Sequence, residues 1–333
     1  MTANRQFRLI ARPTQRASAA NFSFAESPVL APSAGDALVR VRYLSLDPTN
    51  RIWMSDMDQY MPPVELGAVM RGVGIGEIVA SNTDKYAVGD IVTGLLGWQD
   101  YCLVSETGGV SVLPKGLPIS LPVMLNVLGG TGLTAYFGLI DLAKPKAGET
   151  LIVSAASGAV GSVVGQIGKS LGLRVIGITG GPEKCRHIVQ DLGFDAAVDY
   201  RAADWHAQLV AATPDGIDIN FENAGGEIME AVMGRMNLFG RMSLCGMISG
   251  YNTGEKMAFD YSPILMRRLT VRGFIITDFA DRFMEGIGAL AGMLLEGKIK
   301  SNETIAEGLE NAPAALNRLF DGEKLGKLML KVS

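Results

Sequence analysis

The sequence predicts an α/β protein of two domains, a β-rich one followed by a doubly wound parallel sheet. Three observations carry this. The chain has 333 residues, more than one ordinary core accommodates. Its first part shows short strands broken by turn residues, and from about residue 126 short apolar runs alternate with helical periods.

In the first part, residues 37–48 (ALVRVRYLSLDP) alternate apolar and polar side chains and stop at Pro48. Residues 72–81 and 90–104 read as further strands, and several in series suggest a small barrel-like domain. Asp47-Pro48 reads as a strand-ending turn, with Asn50 or Arg51 in reach of a pocket. Trp53 and Trp98 read as pocket walls or as buried aromatics. The 16 methionines read mostly as core, although Met54, Met57 and Met61 fit an adaptable apolar mouth. In the second part, LIVSAA, GSVVGQIGKSLG, RVIGIT, EKCRHIVQDLG, IDINFENAGG, GEIMEAVMGRM and GRMSLCG repeat strand and helix, which requires a parallel sheet covered on both faces. The tail holds one helix and one strand, too few for a domain of its own.

Composition narrows the function. Hydrophobic residues are 48% and charged residues 19%, a globular balance. A net charge of -4 with no basic cluster argues against a nucleic-acid partner. Cys102, Cys185 and Cys245 are odd in number and far apart, which fits a reducing compartment. The N-terminus lacks a signal-peptide core and no window reaches a membrane span, so a soluble cytoplasmic protein with no membrane partner is expected.

Between the strand at 151–155 and the helical spacing of 163–171 lies Ala156-Ser157-Gly158-Ala159-Val160-Gly161. This is the G-x-G-x-x-G dinucleotide fingerprint with Ala156 at its first glycine. Gly158 lets the backbone approach a pyrophosphate, Gly161 lets helix and strand pack closely, and the helix N-terminus meets the phosphates with N–H groups. Ala156 is tolerable if the turn does not need positive φ there. The next strand, 174–179, ends in Thr179-Gly180-Gly181-Pro182 without the acid that holds a 2′-hydroxyl. Lys184, Arg186 and Arg201 are near enough to meet a 2′-phosphate, and Glu183 suits a helix start. The balance favours NADPH over NADH.

With these residues in hand, the sequence resembles the zinc-independent medium-chain reductases of the prostaglandin reductase, leukotriene B4 dehydrogenase and alkenal double-bond reductase branch, curcumin-type reductases included. The resemblance spans nearly the whole chain. It rests on Ser45-Leu46-Asp47-Pro48, Val69-Met70-Arg71-Gly72, Gly132-Leu133-Thr134-Ala135-Tyr136-Phe137-Gly138, the loop and helix from Ser157 to Gln166, Phe239-Gly240-Arg241, Cys245-Gly246-Met247-Ile248-Ser249-Gly250-Tyr251-Asn252 and Leu325-Gly326-Lys327. It implies a GroES-like domain over 1–125 completed by 299–333, with a Rossmann domain over 126–298 between them. It implies NADPH-dependent reduction of a C=C bond conjugated to a carbonyl. Carried over, Gly158, Ala159, Val160 and Gly161 hold the pyrophosphate, and Lys184 and Tyr200 the 2′-phosphate end. Asn223 lies on the nicotinamide side. Cys245, Gly246, Met247, Ile248, Ser249, Gly250 and Tyr251 run along the cofactor, and Phe274, Ile275 and Ile276 line the nicotinamide and substrate pocket. Two departures stand out: Lys324 replaces an Asn that close relatives often carry before Leu-Gly-Lys, and the loops at 51–61 and 251–261 match only loosely.

Zinc alcohol dehydrogenases need Cys and His ligands. His187 and His206, on polar helix faces, and three cysteines without C-x-x-C spacing predict no metal site. An enone carbonyl must then be polarised by hydrogen bonds while hydride reaches the β-carbon. Tyr251 is the leading donor, either stabilising the enolate and relaying a proton or only bonding the cofactor ribose. Tyr43, Tyr60 and Tyr261 rank below it. Cys245 reads as a packed residue rather than a nucleophile. The expected partner is a small enone or enal, and the rival readings are a quinone reductase and a non-catalytic NADPH-binding sensor. Residues 241–245 and 269–276 read as late strands of the sheet. An apolar edge at 269–276, where the related reductases also associate, predicts a homodimer.

Overall fold

The computed structural model describes residues 3–116, 118–253 and 258–333. In chain order the strands are β1 (Ala3–Leu9), β2 (Phe22–Pro28), β3 (Asp36–Ser45), β4 (Val73–Ser81), β5 (Ile91–Leu95), β6 (Tyr101–Ser105), β7 (Val110–Val112), β8 (Thr150–Ser154), β9 (Arg174–Thr179), β10 (Ala196–Asp199), β11 (Ile217–Glu222), β12 (Met236–Leu244), β13 (Thr270–Gly273), β14 (Glu303–Glu307) and β15 (Lys327–Lys331). Contacts divide the chain into two compact units, one of residues 1–125, 303–324 and 328–333, the other of 126–302 and 325–327.

The first unit is β-rich. Its seven-stranded sheet runs β14-β15-β3-β4-β5-β7, with β6 also pairing β3, and a separate hairpin joins β1 to β2. The stretch 90–104, expected as one strand, forms two: β5 pairs with β4, β6 with β3. Gly97 at φ +73° turns the chain between them. Trp98 is fully buried, stacked on Phe22 at 5.5 Å and edge-on to Phe7 at 6.1 Å, so it is core and not a pocket wall. Met54 is likewise core, while Met57 is exposed. Asp47-Pro48 begins a helix, Pro48–Trp53, rather than only ending a strand. Asp47 is its N-cap, and Asn50 reaches back from the first turn, its Oδ1 accepting the Asp47 N–H at 2.8 Å. Arg51 is also not a pocket residue: it is buried, and its guanidinium donates to Gln15 O, Pro13 O and Ser55 Oγ at 2.6–2.8 Å.

The second unit is a Rossmann-type sheet, ordered β10-β9-β8-β11-β12-β13, with every pairing parallel. Helices cover both faces, and so β8 is buried at all five residues and β9 at all but Arg174. That is why both read as continuous apolar runs in place of alternation. Between strands run helices Ala159–Ser170, Pro182–Gln190, Trp205–Ala212 and Gly226–Met233. The expected strand at 269–276 shortens to β13, because the chain turns at Phe274 and enters a short helix at Ile276. Among the described residues, no helix is long and apolar enough to cross a membrane.

Candidate active site

The C-terminal ends of β8, β9, β11 and β12 carry the residues that the sequence singled out. β8 leads through Ala155 and Ala156 into the helix Ala159–Ser170, capped by Gly158 in extended conformation (φ −81°, ψ 178°). The positive φ of the turn falls on Ala155 (+49°), not on Ala156. Alanine at the first fingerprint position is therefore unstrained. Its methyl is housed by Gly177 of β9, where an added Cβ would come within 2.7 Å of it. A Cβ on Gly161 would meet the Ala155 carbonyl oxygen at 2.6 Å, so this glycine sets how closely helix and strand approach. The first-turn N–H groups, at Ala159, Val160 and Gly161, have no partner within the helix, as in the first turn of any helix. Below them, Ser157 Oγ and Thr179 Oγ1 are 2.7 Å apart and buried, which ties the loop to the end of β9.

At that end Gly181 (φ +95°) caps the helix Pro182–Gln190. Lys184, in its first turn, is partly buried, and its ammonium is lowered from the usual lysine range by burial first and by the Arg201 charge second. Arg201 lies 5.9 Å above the Tyr200 ring, and both reach toward Gly180. Two cations and a phenol thus lie close together, with the Glu183 charge acting on Lys184 in the opposite sense. A second acid, Asp199, was passed over by the sequence reading. Its Oδ1 already accepts the N–H of Gly181 at 2.7 Å and of Arg201 at 3.0 Å, so it shapes the loop.

On the β11 side the organising group is Glu222, fully buried and also missed. Its Oε1 accepts Ser154 Oγ–H at 2.7 Å and the N–H groups of Ala224 and Gly225 at 2.6 and 2.8 Å. The acid closing an apolar strand in INFENAGG was the available signal. Asn223 bridges strands, donating from Nδ2 to Ser154 O at 2.8 Å. The run 245–251 is then laid along it: Cys245 and Gly246 donate to Glu222 O, Ile248 to Asn223 O, and Ser249 to Ala224 O, all at 2.9–3.1 Å. Burial, reinforced by the Glu222 charge, pushes the Cys245 thiol up to about 12, which rules it out as a nucleophile near neutrality. Tyr251 Oη accepts the Met247 N–H at 3.0 Å. The Phe274 ring is buried against Phe221 and Gly138. Tyr60 Oη accepts the Trp53 indole N–H at 2.9 Å, and Tyr261 is exposed. Part of the loosely matching 251–261 loop, residues 254–257, lies outside the described residues.

His187 Nδ1 contacts Asp191 at 2.7 Å, and His206 Nε2 lies 3.6 Å from Glu227. Among the described residues no group of three or more His, Cys, Asp or Glu side chains is placed to hold a metal ion.

Residues 5–112 match the family described as the N-terminal domain of oxidoreductase, and 159–291 the one described as zinc-binding dehydrogenase. Over 99% of its length, and 97% of the relative's, the chain is 42% identical to the NADPH-dependent curcumin reductase of Escherichia coli. It is 37% identical to the NADP(+)-dependent 2-alkenal reductase of Nicotiana tabacum, over 90% of this chain and 88% of that one. The crystal structure of CurA from Vibrio vulnificus in complex with NADPH superposes with a TM-score of 0.94 at 42% identity, covering 99% of each chain. The chain therefore belongs to the zinc-independent medium-chain dehydrogenase/reductase family, in the branch of the curcumin, alkenal and prostaglandin reductases.

Proposed function

We propose that this protein is an NADPH-dependent reductase of the C=C bond in α,β-unsaturated aldehydes or ketones. The observation that carries the reading is the cation pair Lys184 and Arg201 at the end of β9, beside a glycine-tuned helix N-terminus. The residues fit the cofactor. Gly158, Ala159, Val160 and Gly161 cradle the pyrophosphate, while Lys184, Tyr200 and Arg201 take the 2′-phosphate. Asn223, the run 245–251 and the backbone of 274–276 serve the nicotinamide half. NADPH, when bound, supplies the hydride for the β-carbon.

The chain's own work is to orient the enone and stabilise negative charge developing on its oxygen. Tyr251 is the group assigned to that oxygen or to the proton delivered afterwards. Its Oη is held by the Met247 N–H at 3.0 Å, and its own O–H is the group assigned to donate. We further propose a cytoplasmic homodimer joined near 269–276. Its support is that β13 ends the sheet with all four residues exposed, beside the exposed side chains of Tyr261, Leu265 and Met266. We propose the domain division expected above, a GroES-like domain completed by the tail with a Rossmann domain between; the contact units differ from it in carrying the second to 302 and in grouping 325–327 with it.

Steady-state NADPH oxidation with enones, alkenals and quinones, with products identified, tests the function. Saturated aldehydes and ketones are the expected products. Preferential turnover of quinones, or stoichiometric NADPH binding with no turnover, would replace it by one of the rival readings.

A further inference from the structure

The three residues Leu325, Gly326 and Lys327 lie more than 150 positions beyond the phosphate loop, yet they group with the Rossmann unit. Gly326 N–H donates to the Ser157 carbonyl at 2.8 Å, and Gly326 and Gly158 form an isolated parallel bridge. On its other side Gly158 donates its own N–H to Ala155 O at 2.9 Å. The residue that caps the helix Ala159–Ser170 is thus held from both directions.

Gly326 has no room for any other side chain. It sits at φ +65°, and an added Cβ would lie 2.0 Å from the Asn302 carbonyl oxygen. That carbonyl accepts the Lys327 N–H at 2.8 Å, and Lys327 is fully buried. The Asn302 side-chain amide meets His187 Nε2 at 3.1 Å, on the helix that carries Lys184. One turn is therefore bonded to the pyrophosphate loop and, through Asn302, to the helix of the 2′-phosphate patch.

We infer that Gly326 is a positioning residue for the dinucleotide, setting the Ser157-Gly158 backbone from the far end of the chain. The inference rests on the reading of residues 156–161 as the pyrophosphate cradle. Substitution Gly326→Ala forces the turn off Asn302 and pulls the N–H away from Ser157. The dissociation constant for NADPH, read by fluorescence titration, then rises about tenfold, the scale of one misplaced hydrogen bond near a charged ligand. The KM for NADPH rises more than kcat at saturating NADPH falls. A folded Gly326→Ala protein that binds NADPH as tightly as the parent overturns the inference.

Hydrogen–deuterium exchange on the unaltered full chain decides the matter even if that variant does not fold. NADPH is expected to slow exchange at 155–161 and at 325–327 together. Protection at 155–161 with none at 325–327 overturns the inference alone. Protection at neither overturns it together with the cofactor reading.

Discussion

Strands β8 and β9 are buried along nearly their whole length, whereas β13, in the same sheet, is exposed at all four residues. At the β8–β9 end each backbone position is fixed by a close approach: Gly161 against Ala155, Gly177 against Ala156, Ser157 against Thr179. At the β13 end large apolar side chains stand in the open, Leu265 at 70% and Met266 at 67% exposure. The difference teaches where rigidity is required. A site for phosphates needs its N–H groups held in place before the ligand arrives. A sheet edge needs only a cover.

On the ordered side, Glu222 ties the end of β11 to the end of β8. Replacing it by alanine strands the N–H groups of Ala224 and Gly225 and the Ser154 hydroxyl in a buried site. With each unsatisfied group costing about 1–3 kcal/mol, a loss of about 3 kcal/mol or more is expected, read as a fall in the urea midpoint. An unchanged midpoint would mean that these bonds do not hold the loop after β11.

Lys184→Ala sharpens the contrast on the phosphate side. Binding of NADPH is expected to weaken by about 1.5–3 kcal/mol and that of NADH hardly at all. Equal losses for both cofactors would remove the 2′-phosphate from this patch.

A smaller effect is expected at the open edge. Val271→Lys places a charge where β13 would pair with a second copy. Light scattering is expected to fall from about 71 kDa, twice the 35.4 kDa chain, to the single-chain value. Stability at the phosphate end should not change. A parent protein that is already a monomer contradicts the pairing.

The strand, turn and helix at 150–170 were legible because they are adjacent in sequence and each glycine has a local reason. Even the alanine at the first fingerprint position became intelligible once Gly177 was seen to house it. Glu222, Asp199 and Gly326 were not legible in these roles. Part of what holds them comes from elsewhere in the chain: Ser154 of β8 reaches Glu222, Gly181 after β9 reaches Asp199, and Ser157 receives the Gly326 N–H. Arg51 misled for a different reason: beside a turn it reads as in reach of a pocket, but here three acceptors hold it buried. The stretch 90–104 has the composition of one strand, and only Gly97 marks the break.

The central claim is that the cofactor's hydride goes to a carbon–carbon double bond. It is tested most directly with NADPH deuterated at the transferring position of the nicotinamide and a simple enone. The account predicts one deuterium on the β-carbon of a saturated ketone, with the α-hydrogen drawn from solvent. Deuterium on the carbonyl carbon of an allylic alcohol, or an enone recovered unlabelled while NADPH remains bound, would contradict it.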